Sequence, residues 1–223
     1  MISFGLENAK EPYLLFRSLY DAASKTSHRN IEAACLSSVS VDNKPHSRFI
    51  NIKYINDEEF IFFSNYKSSK AKDFLCNNNV TLNFYWNSAN TQIRVEGNIM
   101  KLDEDRSNKH WMLRNRDKNA LAISSDQSSP SINFERIIED YQYVLDSPGS
   151  LQRPDYWGGY LIIPNYFNPY LQNNIPINFF VDSKEVNRLK AEIDELKTHQ
   201  DNATDQLDDD GDKYRDSDIM INQ

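Results

Sequence analysis

Two short stretches of this sequence combine cations and hydroxyls in a way that suits a phosphate group. Arg48 opens an apolar stretch that ends at Lys53, and Ser68-Ser69-Lys70 begins a predicted helix directly after a strand. The exposed amides of a helix start, two hydroxyls and a lysine make a reasonable anion site. In a plainer interpretation Ser68 only caps the helix and Lys70 is solvated, and the local pattern alone favours this interpretation.

The spacing of the two strand cations leaves their placement open. Arg48 and Lys53 are five residues apart, so an ideal strand turns their side chains to opposite faces. One cation then faces inward and the other outward, unless a bulge brings them together. The sequence therefore predicts either one joint cationic site or two separate positions.

The common signatures of nucleotide loops and metal sites are absent from the sequence. None of the six glycines stands in a GxGxxG or GxxxxGK[ST] pattern, and there is no HExxH. A bound phosphate must therefore be held by side-chain cations and hydroxyls, and no metal site is predicted. The metal-binding residue types are scattered, at His28, Cys35, His46, Cys76, His110 and His199.

Hydrophobic spacing predicts a mainly β (α+β) protein. Five strands with short turns and one small helix between residues 31 and 102 predict a closed or nearly closed antiparallel barrel. Helices are predicted at 12–24, 68–77, 103–115, 117–125 and 130–145, with Asp103 and Ser129 as caps. Strands are predicted at 31–41, 46–55, 60–64, 80–86, 91–102, 156–163 and 177–181, and no element is predicted for 164–176.

The charge of the chain is concentrated at its C-terminal end. From residue 182 onward, 13 acidic and 6 basic residues supply −7 of the total charge of −8. We expect a folded domain at 1–181, an amphipathic helix at 182–198 and a disordered acidic tail at 199–223. The folded part has no basic excess, which disfavours nucleic acid as a partner. No apolar run has the roughly 20 residues of a membrane helix, and without a signal peptide we expect a cytoplasmic protein.

Six motifs in order resemble those of the pyridoxine/pyridoxamine 5'-phosphate oxidases. They are EPYLLF at 11–16, SRFINIK at 47–53, FFSN at 62–65, SSKA at 68–71, QSS at 127–129 and YWGGY at 156–160. The match runs from about residue 11 to about residue 163 with nearly constant spacing. The resemblance implies a split antiparallel β-barrel with surrounding helices, which binds FMN at the interface of a homodimer.

The resemblance also assigns residues to FMN. Arg48, Ser68 and Lys70 would hold the flavin phosphate, and Ser69 stands where the family usually has arginine. Losing that charged hydrogen bond weakens FMN retention by roughly 1–3 kcal/mol. Gln92 would bond the isoalloxazine, and Gln127 and Ser128 would reach across from the partner subunit. The complete set implied is Arg48, Phe49, Ile50, Lys53, Phe63, Ser64, Ser68, Ser69, Lys70, Gln92, Gln127 and Ser128.

For the substrate, the resemblance implies a small phosphorylated molecule. Lys53 would lie near both flavin and substrate, and His110, Arg114 and Lys118 stand where the family has Tyr, Arg and Ser. Four-residue spacing predicts that the last three share one helical face, suited to a phosphate or a carboxylate. A solvated basic face is the alternative interpretation.

The C-terminal part departs from the family. After Trp157 the family carries an Arg-x-His-x-Arg motif, and residues 166–181 contain no arginine or histidine. The implied activity is an FMN-dependent oxidase in which FMN accepts a hydride and dioxygen reoxidises it. The alternatives are a family member with another substrate and a non-catalytic binder of FMN or of a B6 phosphate. No catalytic residue is assigned.

Overall fold

A curled β-sheet with helices around it forms the described part of the chain. The computed structural model describes residues 1–5, 10–26, 30–125, 134–170 and 179–180. The strands are β1 (Ser3–Gly5), β2 (Ala33–Val39), β3 (Pro45–Asn51), β4 (Tyr54–Asn56), β5 (Glu59–Asn65), β6 (Asn79–Trp86), β7 (Thr91–Lys101), β8 (Trp157–Tyr170) and β9 (Phe179–Phe180). The helices are α1 (Glu11–Ser24), α2 (Ser69–Cys76), α3 (Glu104–Leu113), α4 (Arg116–Ser124) and α5 (Phe134–Asp146).

The sheet curls until its two ends meet. Its strand order is β1-β4-β5-β8-β7-β6-β2-β3, with β9 beside β8. The segment 45–56 pairs with β2 through β3 and with β5 through β4. Between the two strands, the Ile52 amide donates to the Glu32 carbonyl (3.0 Å) and the Lys53 amide to the Ile61 carbonyl (2.8 Å). One chain segment thus joins both ends of the sheet, which confirms the predicted split barrel.

Helix α1 packs its apolar face into an aromatic core. Pro12 lies in its first turn, where the missing amide proton costs nothing. The ring of Phe16 is fully buried and meets rings from three strands edge-on. Its centroid lies 5.5 Å from Phe60, 5.0 Å from Phe84 and 6.1 Å from Phe167. The alternating strands and this helix therefore share one core.

A bulge in the β7–β8 pair requires a residue without a side chain on β7. The pairing of β7 with β8 shifts between Glu96 and Gly97. A Cβ added at Gly97 would overlap the Ile163 carbonyl oxygen and lie 2.9 Å from the Pro164 Cα. Both obstacles are backbone, so they cannot rotate away.

We expect Gly97→Ala to lower the free energy of unfolding by about 2–3 kcal/mol, because the two central strands must separate to admit the methyl group. Chemical denaturation measures the loss. Gly5→Ala is the matched control, since its Cβ meets the tip of the Asn56 side chain at 2.8 Å, which can move. Equal stability of the two variants would contradict the tight β7–β8 contact.

Most predicted elements are confirmed, with two marked changes of boundary and one additional strand. The strand predicted at 46–55 is split at residues 52–53, and β8 continues to Tyr170 through part of the stretch without a prediction. Strand β1 was not predicted. Asp103 caps α3 as predicted, by accepting from the Arg106 amide at 2.8 Å. The Ser129 cap and the segments 182–198 and 199–223 lie outside the described residues. No helix among the described residues is long and apolar enough to cross a membrane.

Candidate functional site

The first group of predicted site residues gathers at the start of α2. Arg48 comes from β3, while Ser68 precedes α2 and Lys70 lies in its first turn; we call these three the α2 cluster. The Lys70 Nζ donates to the Ser68 Oγ over 3.2 Å. Burial lowers the pKa of Lys70, and the positive charge of Arg48 lowers it further. The two cations therefore repel each other, and an anion bound beside both would relieve that repulsion.

A buried carboxylate orients the Arg48 side chain. The guanidinium donates to the Leu36 carbonyl (3.2 Å), the Ser38 Oγ (2.7 Å) and Asp73 (3.3 Å). Asp73 also accepts from the Ser38 hydroxyl at 2.6 Å and lies 3.0 Å from the His46 Nδ1. Burial alone would raise the pKa of Asp73, but these hydrogen bonds and the nearby charges bring it below its usual value. Asp73 therefore stays ionised and holds Arg48 in place.

The start of α2 leaves room for an external acceptor. Ser68 occupies the N-cap position, but its side chain caps no helix amide. Its hydroxyl donates instead to the Asn65 carbonyl at 2.8 Å. Since a helix start presents amide protons that need acceptors, an anion can bind there. Two cations and this helix start fit a phosphate group, and Ser68 can donate to it once its hydroxyl turns from the Asn65 carbonyl. Ser69 lies exposed beside them.

The second group forms around the junction of α3 and α4; we call Lys53, His110, Arg114 and Lys118 the α3 cluster. The prediction that the last three share one face of a single helix is wrong. Helix α3 ends at Leu113, Arg114 is extended, and α4 restarts at Arg116 because Asn115 caps it. Arg114 still reaches Lys118, since its Nη2 donates to the Lys118 carbonyl at 2.8 Å.

Aromatic rings line the α3 cluster. The Phe63 ring stacks on His110 with centroids 3.7 Å apart and planes 9° from parallel. It also lies nearly parallel to Trp157, at 5.4 Å. The Arg114 guanidinium sits over the Trp157 ring, 4.7 Å from its centroid. Tyr54 places its hydroxyl 2.8 Å from the His110 Nδ1. The cluster therefore joins flat apolar surfaces to positive charge.

The charges of the α3 cluster act on one another. Burial lowers the pKa of His110 to about 4, and the charges of Arg114, Lys53 and Lys118 contribute in the same direction. Burial also lowers the pKa of Lys53; Glu32 opposes this effect, while Lys118 and Arg114 add to it. His110 is therefore neutral at neutral pH, and the cluster as a whole repels cations and attracts anions.

The remaining predicted site residues lie apart from these clusters or outside the described residues. Ser64 is half-buried next to Phe63 and pairs with Gly158, and Ile50 is buried. Phe49 and Gln92 lie on the face of the sheet opposite to the core, with Phe49 78% exposed. Gln127 and Ser128 lie outside the described residues. Among the residues that are described, no group of three metal-ligating side chains occurs.

Sequence reasoning missed three residues that lie around these clusters: Tyr54, Asp73 and His46. Asp73 follows Lys70 by three residues, which places both on neighbouring positions of one helix. That spacing could have suggested a functional pair. Its partner Arg48 lies on a distant strand, so the contact itself depends on the tertiary fold. No pattern in the sequence links Tyr54 to His110.

Comparison with known proteins gives consistent sequence matches. The family model described as pyridoxamine 5'-phosphate oxidase matches residues 21–145. A pyridoxine/pyridoxamine 5'-phosphate oxidase of Bombyx mori is 37% identical over 163 residues, covering 70% of this chain and 63% of that protein. A protein of the same name from Leptospira biflexa is 33% identical over 157 residues, covering 70% and 74%. This chain thus spans less than two thirds of the Bombyx protein.

Solved structures share the fold at lower sequence identity. PhzG from Burkholderia lata, determined with tetrahydrophenazine-1-carboxylic acid, has a TM-score of 0.71 at 21% identity, covering 78% of this chain and 94% of PhzG. A pyridoxamine 5'-phosphate oxidase-related, FMN binding protein from Nostoc punctiforme has a TM-score of 0.64 at 10% identity, covering 78% and 99%. At these identities the likeness establishes the fold.

Proposed function

The chain belongs to the pyridoxamine 5'-phosphate oxidase family, and from that premise we propose that it is an FMN-dependent oxidoreductase acting on a small phosphorylated molecule. The observation that carries the proposal is the presence of two separate cationic clusters. The α2 cluster suits the phosphate of the cofactor, and the α3 cluster suits an anionic group of the substrate. An enzyme that binds two phosphorylated molecules side by side needs two such sites.

FMN is the cofactor, and Arg48, Ser68 and Lys70 would hold its phosphate. Asp73 fixes the direction of Arg48, and Ser38 shares the same carboxylate. When bound, FMN supplies the redox chemistry, since it accepts a hydride from the substrate and is reoxidised by dioxygen to give hydrogen peroxide. The protein binds, orients and shields the reacting groups.

The substrate site is proposed around the aromatic rings of the α3 cluster. Phe63 and Ser64 adjoin one another on β5, where the resemblance puts the flavin. Lys53, His110, Arg114 and Lys118 would take the anionic group of the substrate. Arg114 is held by Asn119 (2.8 Å) and by the Trp157 face, so its charge is fixed before a ligand arrives.

Two other candidates have support of their own. One is a member of the family with another substrate, and the other is a non-catalytic binder. His110 and Lys118 stand where the family has tyrosine and serine, and residues 166–181 contain no arginine or histidine. The groups that would orient a B6 vitamer therefore differ. Loss of orienting groups slows hydride transfer more than it weakens cofactor binding.

Turnover separates the oxidase from the non-catalytic binder. We expect FMN-loaded protein supplied with pyridoxamine 5'-phosphate or pyridoxine 5'-phosphate to release hydrogen peroxide in air. The vitamers without phosphate serve as controls and are expected to react much more slowly. If both phosphorylated vitamers bind and no peroxide is released, the oxidase proposal is wrong and the non-catalytic binder remains.

A second copy of the chain is the proposed partner, joined through the outer face of β2, β3 and β6. Phe49 and Tyr85 are 78% and 59% exposed there, around an open depression of about 630 Å³. Gln92 lies on the same face, opposite Tyr85 in the β6–β7 pair. A homodimer across this face would bring Phe49 and Gln92 to the interface, where the resemblance puts FMN.

We expect Phe49→Asp to shift the protein from dimer to monomer, because a carboxylate would be buried in an apolar contact. Sedimentation or light scattering reports the mass. Met112→Asp on α3 is the matched control, since Met112 is 83% exposed on a helix that packs against β8. A dimer that survives Phe49→Asp unchanged would place the interface elsewhere.

A further inference from the structure

We propose that His110 takes up a proton when a doubly charged anion binds to the α3 cluster. The inference rests on the proposed function, because it concerns the substrate site of that oxidoreductase. In this inference His110 contacts the bound anion, and the charge of the imidazole depends on the charge of that anion.

The geometry leaves one edge of the imidazole for a ligand. The ring is fixed by its stack on Phe63 at 3.7 Å, and its Nδ1 is engaged with the Tyr54 hydroxyl at 2.8 Å. Nε2 makes no hydrogen bond among the described residues, so it is the nitrogen with which an anion can interact. The His110 side chain is therefore a positioned donor.

Tyr54 makes both charge states of His110 acceptable. Its hydroxyl can donate to a bare Nδ1, and after rotation it can accept from Nδ1–H. Burial raises the pKa of Tyr54, so the phenol stays protonated and neutral through this change. His110 can thus gain a proton at Nδ1 without losing its partner, while Nε2–H continues to point to the ligand.

The surroundings of His110 set the direction of the change. Lys53 from the β3–β4 link, Arg114 after α3 and Lys118 from α4 all bear positive charge and act on His110. The carboxylate of Glu32 acts on Lys53. Phe63 and Trp157 are uncharged. In the empty site, burial and the three cations hold the pKa of His110 at about 4.

A bound dianion reverses most of this effect. Two negative charges offset two of the three cations and attract a proton to the ring, so the pKa of His110 rises. A carboxylate offsets only one cation and drives less proton uptake. Linkage then requires that the affinity for a dianion increases as the pH falls toward the pKa of the empty site.

Calorimetric titration of the FMN-loaded protein with sulfate tests the proposal, because sulfate keeps both charges between about pH 5 and 8, where histidine titrates. Titrations in two buffers of different ionisation enthalpy count the protons bound. We expect up to about one proton taken up per sulfate near pH 6, and an affinity that falls by up to about tenfold per pH unit on raising the pH.

Two substitutions assign the proton. His110→Gln keeps a donor near the Nε2 position but cannot titrate, so we expect no proton uptake and an affinity for sulfate independent of pH. Lys53→Met is the matched control, with weaker binding but the same proton uptake. His110→Tyr serves as a second non-titrating variant if His110→Gln does not fold.

The outcomes are separable from the oxidase activity, since sulfate binding needs no turnover. Proton uptake that persists in both His110 variants, or that disappears in Lys53→Met alone, would assign the proton to Lys53 and overturn the inference. So would sulfate binding without proton uptake, or no sulfate binding at all. Peroxide release without proton uptake would contradict this inference but not the proposed oxidase activity. Proton uptake without peroxide release would contradict only the oxidase activity.

Discussion

Replacing Arg48 with alanine is expected to weaken FMN binding by about 100-fold. A charged hydrogen bond to a phosphate is worth about 1.5–3 kcal/mol, which corresponds to a factor between about 10 and 150. The substitution also removes the arginine partner of Asp73 at 3.3 Å, so a carboxylate that keeps only Ser38 and His46 as partners then lies near the incoming phosphate. Both effects act in the same direction. Quenching of flavin fluorescence on titration measures the affinity.

The control for Arg48→Ala must remove one positive charge elsewhere. Arg17→Ala does so on α1, where Arg17 is 53% exposed and lies 3.9 Å from Asp21. We expect its FMN affinity to match that of the unchanged protein. Arg48→Lys keeps the charge but not the three directed hydrogen bonds, so it should recover only part of the loss. Affinity within about threefold of the unchanged protein in Arg48→Ala would contradict the assignment of the α2 cluster.

Replacing Phe16 with alanine is expected to lower the free energy of unfolding by about 3–5 kcal/mol, since a fully buried ring leaves a cavity that rigid neighbours cannot fill. Phe16 is 0% exposed, and its ring also lies 5.5 Å from Trp86. Its neighbours are themselves aromatic rings fixed on strands, so collapse is limited. Denaturant unfolding gives the loss directly.

Leu14 on the same helix provides the matched control for Phe16. It is 45% exposed, so Leu14→Ala should cost less than about 1 kcal/mol. A loss of similar size in both variants would mean that α1 contributes through its helical propensity rather than through the core. A loss below about 2 kcal/mol in Phe16→Ala would contradict the buried aromatic core.

The alternation of apolar residues carries most of the information on the sheet. In β6, Val80, Leu82, Phe84 and Trp86 are all buried, as a period of two requires. The split at residues 52–53 also has a trace in the sequence, because the apolar phase changes between Ile52 and Ile55. Strand β1 has three residues and no such pattern, so only its pairing with β4 reveals it.

The composition of the two clusters depends on the tertiary fold. The spacing of Arg48 and Lys53 left one joint site or two separate positions open, and the structure puts Arg48 with α2 and Lys53 with the α3–α4 junction. The chain between β3 and β4 leaves one strand partner for another, which separates the two cations. The separation of Arg48 and Lys53 depends on strand pairing between residues that are distant in the sequence. The local pattern does not predict such pairing.

The four-residue spacing of His110, Arg114 and Lys118 predicts one shared helical face. That prediction fails, but Arg114 still contacts Lys118. The extended Arg114 ends α3 and the Asn115 cap starts α4, so a single helical face cannot exist. The short turn nevertheless returns the chain toward α3, and the Arg114 guanidinium bonds the Lys118 carbonyl. The turn between α3 and α4 therefore brings together residues that the spacing had placed on one helix.

The most direct measurement of the central claim is a titration of flavin-free protein with FMN, followed by absorbance and by the quenching of flavin fluorescence. The account predicts saturable binding of one FMN per chain, with an absorbance spectrum shifted from that of free FMN and with affinity that depends on Arg48 and Lys70. A protein that is colourless as purified and takes up no added FMN would contradict the account at its foundation.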